Sequence, residues 1–138
     1  MIKKRKKIVK KITTKKLRFV VDNDMAIAMT GWFRLKKYAK LFSAIEVTGS
    51  PESPDTFVYQ KAGEINAHIL TCNYKDYKNQ VKSKKSPGVV SCKQPSTEKI
   101  STQDEQNVIN ITKEYSNDDL YGKIIIVDGE GIKKKKEF

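Results

Sequence analysis

The sequence predicts a mainly β domain, a small sandwich or partly open barrel built of antiparallel hairpins, behind a basic N-terminal arm. Three observations point there. Short apolar runs recur at roughly even spacing along the chain. One stretch alternates with period two, Met25, Ile27, Met29, Gly31, Phe33 and Leu35, which is the strand signature. Residues that tolerate turn geometry sit between the runs. The pattern also admits an α+β variant with one short helix around 32–43, because Met25, Ala28, Trp32, Leu35, Ala39 and Phe42 fit helical spacing.

Taken in order, residues 1–16 read as an arm, since so dense a run of cations has too little apolar surface to order itself. "LRFVVDNDMAIAM" reads as a hairpin turning at Asp22-Asn23-Asp24. "SAIEVTG" ends a further strand, and the proline-containing "GSPESPD" is a loop. "TFVYQKAGEINAHILTCNY" reads as a second hairpin turning at Lys61–Glu64. "KDYKNQVKSKKSPG" and "KQPSTEKISTQDEQ" are polar excursions on either side of a short strand, "VVSC". "NVINIT" and "YGKIIIVDG" read as the last strands. With 138 residues the chain suits one domain. The organisation expected is an arm (1–16), a single β-rich domain (17–131) and a basic tail (132–138).

Charge is distributed unevenly. The chain carries a net +12. Residues 1–18 hold ten cations and no anion: Lys3, Lys4, Arg5, Lys6, Lys7, Lys10, Lys11, Lys15, Lys16 and Arg18. Residues 132–138 add four lysines against Glu137, so the body between is close to neutral. Within it, Arg34, Lys36, Lys37 and Lys40 form one basic cluster, and Lys75, Lys78, Lys82, Lys84 and Lys85 another. Dense cations meet polyphosphate by counterion release, and lysine suits backbone contact better than base reading. The residues expected to touch nucleic acid are the ten terminal cations with Lys36 and Lys37. Tyr74 and Tyr77, lying among lysines, are candidates for stacking on an unpaired base.

Chemistry is harder to find. His68 is the sole histidine. On a strand, His68 and Cys72 stand ~13 Å apart, too far to share one zinc ion. The paired acids Asp22/Asp24, Asp118/Asp119 and Asp128/Glu130 all fall at expected turns and read as turn and cap chemistry. No catalytic residue, metal, cofactor or small-molecule substrate is expected. Two cysteines are too few for a disulfide scaffold, and whether Cys72 and Cys92 pair is open. The longest apolar run, Met25–Met29, is far short of a membrane span, and no apolar stretch of signal-peptide length follows the basic start.

The function expected is therefore a non-enzymatic structural component of a nucleoprotein assembly, a virus particle or a ribonucleoprotein. It would be cytoplasmic or inside the particle, with lysine-rich ends on phosphates and neighbouring protein subunits on the neutral body. The alternative is a protein–protein adaptor whose basic tails contact an acidic partner or serve solubility.

Overall fold

Four apolar runs become neighbouring parallel strands, and their composition explains why. Phe19-Val-Val21, His68-Ile-Leu-Thr71, Val89-Val-Ser91 and Ile124-Ile-Ile-Val127 are nearly continuous rather than alternating. That is the pattern of strands covered on both faces. The computed structural model describes residues 16–22, 32, 34–92, 102–128 and 131–138, the last stretch without the side chains of 133–135. Among them, β1 (Leu17–Val21), β2 (Ala39–Ser43), β3 (His68–Thr71), β4 (Val89–Ser91), β5 (Lys123–Asp128) and β6 (Gly131–Glu137) form one sheet in the order β2-β1-β3-β4-β5-β6. The first five are parallel, and β6 returns antiparallel along β5.

The expected mainly β sandwich or barrel is thus overturned: the chain is mixed α/β. β1 cannot belong to a hairpin, because β2 and β3 occupy both its edges in parallel register. The expected strand at "SAIEVTG" stops at Ser43, where a capping box opens α1 (Ala44–Thr48). Ser43 Oγ accepts from the Glu46 N–H at 3.0 Å and Glu46 Oε1 accepts from the Ser43 N–H at 2.8 Å. Gly49, at φ +83°, closes α1 in the left-handed region that glycine enters most easily.

The second expected hairpin is a helix followed by a strand. α2 (Asp55–Glu64) runs through Lys61–Glu64, the residues expected to turn, and buries Val58, Tyr59 and Ala62 at helical spacing. Likewise α3 (Thr102–Glu114) spans the end of a polar excursion and the "NVINIT" stretch, burying Val108, Ile109 and Ile111. The ambiguous segment 32–43 divides into a 3₁₀ turn, Leu35–Lys37, and β2. The carboxylate of Glu105 on α3 fastens that turn, accepting from the Arg34 and Leu35 N–H groups at 2.8 and 3.1 Å. The 132–138 stretch, set apart by its charge, supplies β6.

Two apolar clusters sandwich the sheet. α1, α2 and the 74–81 segment pack on one face through Ala44, Val58, Ala62, Tyr77 and Val81. Trp32, Leu35 and α3 pack on the other. The β2→β3 and β4→β5 connections both advance in the same direction across the sheet, yet they cross on opposite faces. They therefore differ in hand, and one departs from the usual right-handed rule. On the α2 face, consequently, no helix among the described residues packs over β5 and β6.

Candidate metal centre

In an open parallel sheet, the place where strand order reverses leaves a crevice beyond the carboxyl ends of the strands. Here the reversal lies between β1 and β3. Asp22 follows the last residue of β1 and is 4% exposed. Asp55 stands in the first turn of α2, and Asp76 in the 3₁₀ turn Tyr74–Asp76 just past β3. Carboxylate oxygens of these three residues lie within 4.8 Å of one another, graded from buried Asp22 through half-buried Asp55 to exposed Asp76.

Each acid is held by the fold. The Asp22 N–H donates to the Leu70 carbonyl at 2.9 Å, carrying the β1–β3 pairing to the strand end. The Thr71 hydroxyl, at the end of β3, donates to Asp22 Oδ2 at 2.9 Å. The buried Tyr77 hydroxyl donates to Asp22 Oδ1 at 2.9 Å and reaches Asp55 Oδ1 at 3.3 Å. Asn73 donates through its side-chain amide to Asp76 Oδ2 at 3.2 Å, while its backbone N–H donates to Thr71 Oγ1 at 3.0 Å. Burial first, and then the Asp22 and Asp55 charges, push the Tyr77 phenol far above its ordinary range, so it stays a donor.

Three clustered carboxylates repel one another unless a cation neutralises them. An all-oxygen set, partly rigid and open on one side, suits a hard divalent ion such as Mg²⁺ or Mn²⁺, which keeps water or substrate oxygens on its open positions. The ions held there would polarise a phosphoryl oxygen or activate water.

The other expected site residues distribute differently. Lys3, Lys4, Arg5, Lys6, Lys7, Lys10, Lys11 and Lys15 lie outside the described residues. Arg18 is committed to structure, its Nε donating to the Ile65 carbonyl at 3.0 Å and its guanidinium lying over the Phe42 ring. Lys16 and Lys36 line a cavity of about 480 Å³ with Lys40, and Lys37 is exposed beside them. That cavity lies by the amino ends of β1 and β2, so it is not joined to the carboxylates. The second basic cluster is better placed: Lys75 and Lys78 flank Asp76 and Tyr77 and are exposed.

Tyr77, a stacking candidate in the sequence, is wholly buried and cannot stack on a ligand base. Trp32 is likewise core. His68 is fully buried between Gly88, whose N–H donates to Nδ1, and the Asn117 carbonyl bonded to Nε2, each at 2.7 Å. Burial lowers its pKa to about 4, so it stands neutral with both nitrogens satisfied. No disulfide joins Cys72 to Cys92. Burial raises the Cys92 thiol well above its ordinary range. The sequence reading missed Asp55 and Asp76 altogether and assigned Asp22 to a turn. The available signal was an acid directly after a continuous apolar strand, where a turn residue and a site residue look alike.

No helix among the described residues is long and apolar enough to cross a membrane. Comparison with protein-family models, curated proteins and solved structures finds no match to this chain.

Proposed function

We propose that the chain is a divalent-metal-dependent phosphodiesterase acting on nucleic acid. One observation carries this reading: three carboxylates from β1, α2 and the turn after β3 converge within 4.8 Å at the reversal of strand order. Asp22, Asp55 and Asp76 would hold Mg²⁺ or Mn²⁺, which would supply charge stabilisation for phosphoryl chemistry there. Thr71 and Tyr77 orient the two oxygens of Asp22. Lys75 and Lys78 stand where the substrate backbone approaches, supplying the attraction that draws a polyanion to an acidic centre. This departs from the non-enzymatic expectation, because carboxylates separated by 33 and 21 residues in the chain carry no motif that one-dimensional reading can see.

A second reading keeps nucleic-acid binding without chemistry, as in a structural component of a nucleoprotein assembly. The clustering of Lys16, Lys36 and Lys40 at the other end of the sheet favours it.

Incubating the full chain with labelled single-stranded RNA and DNA in Mg²⁺, Mn²⁺ or EDTA separates the two. The first predicts cleavage that needs metal and is lost in Asp22→Asn. Binding that falls steeply with salt, without cleavage under any condition, sinks the first reading and leaves the second.

A further inference from the structure

We propose that the groove between the 74–79 segment and the β5–β6 hairpin is a nucleobase subsite. One unpaired base sits against Tyr74 and Ile126, and its flanking phosphates meet Lys78 and Lys136. The inference deepens the nuclease reading and rests on it only for the identity of the bound polymer.

The groove exists because of the sheet's connections. α3 crosses on the opposite face, and among the described residues the 74–79 segment borders the near face of β5 and β6. Along β5, Ile124 and Ile126 point to this face, while Ile125 and Val127 enter the other cluster. Lys136 is paired with Ile124 in register and so stands on the same side. Ile126 is left half-buried, at the floor of a cavity of about 240 Å³ lined with Tyr74, Lys78, Asn79, Ile124 and Lys136.

Both its size and its lining select the ligand. The cavity is smaller than the roughly 300–1,000 Å³ typical of drug-sized ligands, and a single ring system suits it better than a whole nucleotide. Among the described residues the lining offers an aromatic side chain, an apolar floor, one amide and two cations, and no acid. Aromatic stacking with neighbouring lysines is how sequence-tolerant single-strand binding works, since every base has a π-face. The Asn79 amide can donate to and accept from a base edge. Location links the groove to the metal centre: Tyr74, which lines the groove, and Asp76, one of the three carboxylates, share one 3₁₀ turn. Lys75, Lys82, Lys84 and Lys85, in the same stretch of chain, are also exposed.

The test is fluorescence polarisation of the full chain in EDTA, using a labelled single-stranded oligouridylate and a matched abasic oligomer. Tyr74→Ala is expected to weaken oligouridylate binding about tenfold and to leave abasic binding unchanged. Tyr74→Phe keeps the ring and the affinity. Ile126→Ala, which alters the floor independently, is expected to reproduce the base-dependent loss. Lys78→Ala and Lys136→Ala are expected to weaken both oligomers alike and to reduce the salt slope by about one each. Thermal melts of each variant check that the fold persists. Equal loss with both oligomers, or no loss in either Tyr74→Ala or Ile126→Ala, overturns the subsite. Base-dependent binding without metal-dependent cleavage would remove the nuclease reading and leave the subsite standing; cleavage without base dependence would do the reverse.

Discussion

The Tyr77 hydroxyl donates to Asp22 Oδ1 at 2.9 Å, joining residues 55 apart in the chain. Tyr77 lies fully buried, and the same hydroxyl reaches Asp55 at 3.3 Å. A phenolic donor reaching both carboxylates offsets part of their mutual repulsion. It also ties the segment after β3 to the end of β1.

Removing that hydroxyl tests its positioning role. Tyr77→Phe keeps the ring in its cluster and strips the donor from Asp22. Outer-shell losses of this kind reduce metal affinity or activity by about 10–100-fold. Mn²⁺ titration calorimetry and cleavage rates should both show this, while the near-UV spectrum changes only by the lost phenol. A variant that cleaves and binds Mn²⁺ normally would show that the hydroxyl is purely structural.

Asp22→Asn preserves shape and can still accept through its amide oxygen, but removes the buried negative charge. Cleavage should fall to background and Mn²⁺ affinity should drop sharply, in a chain whose urea unfolding remains cooperative. Thr71→Val, which deletes the donor to Asp22 Oδ2, should produce a smaller loss of the same kind.

His68 sets a pH dependence of stability. Its pKa falls from 6.5 to about 4 because burial disfavours the charged ring. The unfolded chain therefore takes up this proton first as pH drops. The contribution is fully present above pH 6.5 and is lost as pH falls towards 4, roughly 3 kcal/mol across that window. Urea unfolding at pH 7, 5.5 and 4.5 measures it, and an NMR titration of the ring protons in the folded state should show a midpoint near 4. A midpoint near 6.5 would refute the assignment.

Gly88 marks a close approach at the start of β4. A Cβ there would meet the Leu120 carbonyl oxygen at 2.2 Å, with the Lys123 carbonyl at 3.0 Å. Both obstacles are backbone and cannot swing aside. Gly88→Ala should cost about 2–3 kcal/mol and also disturb the N–H that His68 Nδ1 accepts. Chemical denaturation checks this; a midpoint within error of the parent would mean the 120–123 backbone gives way freely.

Several strands were legible because a strand is written in consecutive residues. Phe19-Val20-Val21, "VVSC" and "YGKIIIVDG" read as strands, and they contain parts or all of β1, β4 and β5. Their parallel pairing was not legible, since Asp22-Asn23-Asp24 and Lys61–Glu64 are equally good turn chemistry for a hairpin. α2 in particular has a weak local signal: Gly63 lies near its end, and its polar residues do not set off the buried Val58, Tyr59 and Ala62. Packing on the sheet decided it.

By itself, the sequence determined where apolar runs lie and where positive charge accumulates, because both are local properties of consecutive side chains, but not which of those runs become strands. Only the tertiary structure decided what those strands carry. Carboxylate oxygens of Asp22, Asp55 and Asp76 come within 4.8 Å where strand order reverses between β1 and β3, and Tyr74 and Ile126 come to line one cavity. The reason is physical: carboxylates and pockets act through distances of a few ångströms, and the choice of crossover face, which sets those distances, is made by the packing of the whole sheet.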